Sequence, residues 1–462
     1  MAERVDHRAA AGCVLSATTD PTSVNDVDYP MNDVLPSIDP MPPVAATALP
    51  WDEELEDPVA AIAAARAAHG DTFVVEGPTQ RTLFLFSPQG VKSFYELAES
   101  HASKGVADWM MIVRKLPEEL FDGRRTIMHQ LFGREDVRTY LAQLDAAMAV
   151  TFAEMGASGT IDVFALTRRL GHRMGLASWA GETPSSAARF DELVAALDDL
   201  DGSAAFVHPD EMRRVANGAK AAERAAMAHV ELLLAETIAA RDALAPDQRP
   251  HDLFARIMQR WVDVGEPERR IGIARDVILV HLGSMSNLFA ASGWMIAQLA
   301  LHPDALARVR THEAGFVERC ALESTRLGQR SIMLRAVLQP TQVRDEQHTY
   351  EVAPGAQIAT LLPLTNTTAM AGLTSYDPDR WTRRRLTDEA QLPTRELVTT
   401  FGHGEHTCPA QPFSLAAMCR SAEALIDTYD LTPQFTEISP LAAQIGGVAR
   451  SQHPCPMRYE AR

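Results

Sequence analysis

The ten residues "FGHGEHTCPA", 401 to 410, bring together Phe401, Gly402, His403, Gly404, His406 and Cys408. Cysteine is scarce in this chain, five among 462 residues, so a sulfur inside a glycine-punctuated turn raises a chemical question. The turn runs straight into an apolar-periodic segment, which sets the sulfur against the unpaired N–H groups and positive end of a helix, where thiolate is favoured over thiol. Such a thiolate can ligate a metal, attack as a nucleophile or serve as a redox sulfur, and Gly402 and Gly404 let the backbone come close to whatever it holds. His403, His406 and Cys408 could also ligate zinc or copper. Ligands so close together in one loop rarely all reach one tetrahedral ion, however, and no second Cys/His cluster supplies the rest. A buried cysteine in an ordinary turn is the remaining alternative.

A sulfur held this way needs a helix behind it and a wall in front of it. "PFSLAAMCRSAEALIDTYDL" (412–431) reads as that helix, and the apolar run "DVILVHLGSMSNLFAASGWMIAQLAL" (276–301) as a long buried one. Most of the chain between 91 and 330 is helical by period, with clear segments at 136–155, 189–200 and 218–244. Residues 57–70 predict a helix ended by Gly70, and "TFVVEG" and "TLFLFS" a short strand pair. Strand-like stretches follow at 331–338, 348–353 and 356–364, then an irregular loop over 375–386 and a last strand or hairpin in the tail. This is a mainly α chain with a small β portion, an α+β arrangement without internal repeats. Residues 1–48, rich in Pro, Asp, Ser and Thr, read as an extended or partly disordered arm ahead of one domain over 49–462.

Composition narrows the partners. A formal charge of −18 and a pI near 5.3 repel nucleic acid and anionic membrane surfaces. The five cysteines show no disulfide spacing, which fits a reducing cytoplasm, and the charged start "MAERVDHRAAAGCVL" does not resemble a signal peptide. The 276–301 run is long enough to span a bilayer, but His281, Ser284, Ser286, Asn287 and Gln298 interrupt it, so it is read as a buried helix rather than a membrane span.

"FGHGEHTCPA" resembles the haem-binding loop of the cytochrome P450 family, Phe-Gly-x-Gly-x-His/Arg-x-Cys-x-Gly/Ala, and matches it at Phe401, Gly402, Gly404, His406, Cys408 and Ala410. Two upstream segments agree in order: "LESTRL" is similar to the family's Glu-x-x-Arg pair at Glu323 and Arg326, and "YDPDRW" supplies Arg380 to complete a Glu-Arg-Arg network. The resemblance, over roughly 50–460, implies the P450 fold and haem b, with Cys408 as axial thiolate, Phe401 packed by the sulfur and His406 on a haem propionate. It further implies haem contacts for Arg335, nine residues past Arg326, and for Arg125 in a Phe121-x-x-x-Arg125 pattern. A thiolate ligand pushes electron density onto iron and favours O–O cleavage.

At one place the chain departs from the pattern. Where most members carry an acid and an alcohol on the distal helix, ungapped counting from Trp294 gives Ser286 and Asn287. Asparagine here resembles prostacyclin synthase and the sterol 7α-hydroxylases, which also share the "ESLRL"-like helix and a tail like "GGVARSQHPCPMRY". An amide cannot relay protons as an acid does, but it donates hydrogen bonds and holds water. The family reading is therefore a monomeric monooxygenase of a small apolar substrate, such as a lipid, terpenoid or specialised metabolite, served by a ferredoxin or flavoprotein. Its alternatives are a reductant-independent isomerase or dehydratase and a haem-binding sensor or carrier. A cysteine-nucleophile enzyme is a further rival, and it predicts a colourless protein. The 99–120 segment, the 200–215 loop and the helix around Met285 and Phe289 are expected to line the pocket, with Met110, Met111, Met285 and Phe289 as an apolar wall, and "RWTRRR" (380–385) with Arg420 to face an acidic electron donor.

Overall fold

The computed structural model describes residues 35–126, 130, 131, 133–181, 184, 189–201 and 209–462. In chain order it runs β1 (Ile38–Asp39), α1 (Pro58–His69), β2 (Thr72–Glu76), β3 (Arg81–Leu85), α2 (Pro88–Glu96), β4 (Ala102–Ser103), α3 (Lys104–Ile112), α4 (Arg134–Met155), β5 (Ser158–Asp162), α5 (Val163–Trp179) and α6 (Phe190–Leu200). Next come α7 (Pro209–Asn217), α8 (Ala221–Asp242), α9 (Leu253–Arg260), α10 (Glu268–Leu301), α11 (Pro303–Arg310), α12 (Phe316–Gly328), β6 (Ile332–Val337), β7 (Thr341–Arg344), β8 (Thr349–Val352), β9 (Gln357–Leu361) and α13 (Leu362–Thr368). The short hairpin β10 (Trp381–Thr382) and β11 (Arg385–Leu386), α14 (Gln411–Thr428), β12 (Tyr429–Pro433) and β13 (Pro456–Ala461) complete it.

Local chemistry sets many of these boundaries. The Asp57 carboxylate accepts from the N–H groups of Val59 and Ala60 to start α1, and Gly70, at φ +89°, ends it. Ser87, Ser103 and Asp162 cap α2, α3 and α5 in the same way. Helix α10 begins at Glu268, eight residues before the predicted 276, because its first two turns are charged and escape a reading based on apolar runs. Helix α14 stops at Thr428 rather than 431, where the chain turns extended and pairs with β13.

The main core is helical. Helix α10 is buried over most of its length, packs most extensively on α5 and also contacts α8, α12 and α14. Gly171 and Gly175 allow that close approach: a Cβ on Gly171 would stand 2.1 Å from the Phe289 ring. Among the described residues α10 is the one helix long and apolar enough to cross a membrane, and its apolar window lies mostly inside the protein.

A second layer is the five-stranded sheet β2-β3-β9-β6-β4, with β3 and β9 parallel and the other pairs antiparallel. Two further three-stranded sheets, β1-β8-β7 and β12-β13-β5, are separate from it. The described part of the 1–48 segment is extended and packed: Ile38 pairs with Val352, and Val44 bridges to Val74. Residues 1–34 lie outside the described part.

Candidate functional site

The cysteine loop is pinned from both sides. Buried Asn366, on α13, accepts from the N–H of Thr399 (2.8 Å) and donates to its carbonyl (2.9 Å), while Gln329 Nε2 donates to the Thr400 carbonyl (2.9 Å). The Gly402 N–H then donates to Thr399 Oγ1, and the Cys408 N–H to the Phe401 carbonyl at 2.7 Å, closing the loop. Gly402 (φ +80°) and Gly404 (φ +59°) occupy the left-handed region that makes the turn possible. Helix α14 starts three residues after Cys408, as the sequence requires for a sulfur near a helix N-terminus.

Cys408 is half-buried and opens, with Phe401, onto a cavity of about 370 Å³. The opposite wall is α10, which contributes Leu282, Gly283, Ser286, Asn287 and Ala291. Two elements more than a hundred residues apart thus meet across one space. Among the described residues no three His, Cys, Asp or Glu side chains gather to hold a metal ion. A bare zinc or copper ion needs several protein ligands, and the side chain of His406, one of the three candidates, lies outside the described residues.

Asn287 sits on the cavity face and accepts, through Oδ1, from the N–H of Val448 at 2.9 Å. A backbone N–H can only donate, so the contacting atom is the amide oxygen, and Nδ2 is the donor end. The tie fastens α10 to the segment 444–450. That segment is further held by Trp294 Nε1 on the Ala449 carbonyl (2.7 Å), Ala449 N–H on Gly328 and Arg330 N–H on Gly447. The tail between Gln444 and Arg450 is therefore a pinned cavity wall, and the last strand comes only at Pro456.

Glu323 and Arg326 are both 0% exposed and paired at 2.7 Å. Arg380 Nε and Trp381 Nε1 donate to the same carboxylate at 2.9 Å each, and Arg326 also donates to the carbonyls of Asn366 and Leu373. At an exposed helical i,i+3 pair the gain is about 0.2–0.5 kcal/mol. Here burial raises the stakes, since removing one partner of a buried pair costs about 3–5 kcal/mol.

Other expected residues fall elsewhere. Met111 lines the cavity, whereas Met110 packs against the β-sheet core. Met285 and Phe289 do not line it: they lie on the opposite side of α10, against Gly175 and against Gly171 and His172. Arg125 turns outward, pairing with Asp263 at 2.6 Å over the Trp261 ring, so Phe121 reaches the cavity and the arginine does not. Arg335 is buried beside the sheet, donating to the Ala102 carbonyl (2.6 Å) with Glu99 at 3.5 Å, off the cavity lining. The side chain of His406 lies outside the described part, as do residues 202–208 of the expected 200–215 pocket segment.

In the basic run, Arg384 is paired with Glu318 (2.8 Å), Arg420 with Asp145 (2.8 Å) and Arg380 with Glu323, which leaves a weaker positive field than the residue count suggests. The cavity also carries Lys104, Asp108, Asp201 and Arg450, none of which the sequence singles out. Arg450 falls within the tail resemblance and the other three within no motif, and only the fold brings them together.

No family model matches the chain, and no curated protein does. Among solved structures, the retinoic acid-bound cyanobacterial CYP120A1 superposes with a TM-score of 0.70 at 15% sequence identity, covering 92% of this chain and 100% of that one. At that identity the likeness speaks to the fold: this chain is folded as a cytochrome P450.

Proposed function

We propose that the chain binds haem b through Cys408 Sγ and oxidises a small, largely apolar molecule held between the cysteine loop and α10. The observation that carries this reading is that half-buried Cys408 lines a mostly apolar cavity together with α10. When bound, the haem iron, pushed by its thiolate, supplies the chemistry of dioxygen cleavage. The protein's part is to hold the sulfur with the Cys408–Phe401 loop, exclude water with Leu282, Leu288 and Ile332, and deliver protons. In the overall reaction one oxygen atom of dioxygen enters the substrate and the other leaves as water, with two electrons from a ferredoxin or flavoprotein and two protons from solvent. Ser286, a hydroxyl that both donates and accepts, would pass protons from cavity water. That the fold neighbour is described with retinoic acid bound supports a small organic ligand. In this reading residues 49–462 act as one cytoplasmic catalytic unit, and the donor meets the exposed Arg383 and Arg385 near the cysteine loop.

One observation favours a second reading. Asn287, an amide where most relatives carry an alcohol and tied by Oδ1 to Val448, suits a substrate that already carries oxygen and rearranges without external electrons, as its resemblance to prostacyclin synthase implies. The test is to purify the chain with ample haem supply and record the reduced carbon-monoxide spectrum of the parent and Cys408→Ser proteins, then assay turnover with and without reductant. A thiolate-type spectrum lost in Cys408→Ser is expected, with product only when reductant is present. A colourless protein, or an unchanged variant spectrum, overturns the haem reading. Turnover without reductant selects the rearrangement.

A further inference from the structure

The cavity is apolar over most of its wall, yet its lining includes two ion pairs. Lys104 pairs with Asp108 one turn further along α3, a contact within one helix. Arg450 pairs with Asp201 at 3.2 Å across the cavity, from the pinned tail to the end of α6, 249 residues away in sequence. The two members of this second pair are unequally covered: the Arg450 side chain is 37% exposed and that of Asp201 is 10%. Of the two lining side chains, the arginine is thus the more accessible.

The backbone of Arg450 is fixed on both sides. Its N–H donates to Gln444 Oε1 (2.9 Å) and its carbonyl accepts from the Leu441 N–H (2.8 Å), while Gln444 Nε2 holds the carbonyls of Gly446 and Val448. A planar guanidinium on a rigid platform is preorganised to take a carboxylate through two parallel N–H bonds. Asp201 has a second cation to turn to. Buried Lys115 interacts electrostatically with Asp201, though more strongly with Glu223.

We infer that the substrate is an apolar molecule ending in an ionised acid, and that Arg450 receives its carboxylate, with Asp201 as the internal group that the ligand displaces. This deepens the haem-enzyme reading and rests on it for the reaction, though not for the binding. Asp108 is the counter-argument, a carboxylate on the same cavity that would prefer a cationic ligand. Its partner Lys104 lies on the same helix and answers its charge locally.

The experiment uses holoenzyme whose reduced carbon-monoxide spectrum is first shown to be that of a thiolate-ligated haem, which separates failure of the haem reading from failure of this one. Equilibrium dialysis then measures dodecanoic acid, its methyl ester and the dodecyltrimethylammonium ion against the parent, Arg450→Gln, Arg450→Lys and Asp201→Asn proteins. The acid is expected to bind roughly tenfold or more tightly than the ester. Arg450→Gln should abolish that preference and Arg450→Lys retain part of it. Asp201→Asn should tighten acid binding severalfold, because it removes the competing carboxylate, whereas loss of a merely structural ion pair would loosen it. Equal binding of acid and ester, preference for the cation, weaker acid binding by Asp201→Asn, or no binding of any of the three to competent holoenzyme would each overturn the assignment.

Discussion

Asn287 lines the cavity and also ties it to the tail, its Oδ1 accepting from the Val448 N–H. Asn287→Leu leaves that N–H without its acceptor, at a cost of about 1–3 kcal/mol. Asn287→Asp keeps an acceptor and should melt closer to the parent. Thermal melts of the two variants check this, and the reverse order would show that the tie does not secure the tail. At this scale, residues whose partners lie nearby in sequence were legible. The Phe401–Cys408 loop is one, since its hydrogen bond closes over seven residues. Arg125 was not, because its direction depends on Asp263, 138 residues on.

Elements meet through contacts that no local pattern announces. Helix α5 is joined to α10 by a buried chain in which each group's role follows from the last. Trp179 Nε1 can only donate, so His281 Nδ1 accepts (3.2 Å) and His281 Nε2–H donates to His172 Nδ1 (2.9 Å). His172 Nε2–H in turn donates to Asp198 (2.9 Å). Burial pushes Asp198 upward, but its hydrogen bonds from His172 and Arg168 outweigh this and hold it below the usual carboxylate range. Burial, reinforced by the neighbouring His172, holds His281 well below the ordinary imidazole value. The folded protein thus binds fewer protons here than the unfolded chain. Stability from this site is present above an unfolded pKa of about 6.5 and is lost as pH falls below it, with a slope approaching about 1.4 kcal/mol per pH unit. Denaturant melts between pH 7 and 5 should show a flatter dependence for His281→Gln than for the parent, and parallel curves would remove this site as the cause. The period of α10 was visible in sequence, but its cavity face was not: a helix apolar nearly all round carries no stripe to say which side meets a space. Met285 and Phe289 were therefore expected on the cavity and lie against α5.

For the whole molecule, the cavity beside Cys408 links ligand binding to stability. Anything that binds the folded chain and not the unfolded one stabilises it, by about 2.7 kcal/mol at a hundredfold excess over its dissociation constant. Protein produced without haem should therefore melt several degrees below haem-loaded protein, by differential scanning fluorimetry. Identical melting points would mean that the group does not occupy this cavity. At the same scale, the charge of −18 was plain from composition, whereas the pairing of Arg384 and Arg420 with acidic partners was not. By itself the sequence determined the helical character, the small β portion, the turn that carries Cys408 and the identity of the Glu323–Arg326–Arg380 set, because these rest on neighbours within a few residues or on motifs read in order. Only the tertiary structure decided which side chains share the cavity, that Glu323 and Arg326 are wholly buried, and that Arg450 and Asp201 face each other. Those outcomes depend on chain segments hundreds of residues apart being packed together, and the free energy of such packing is not written in any local stretch.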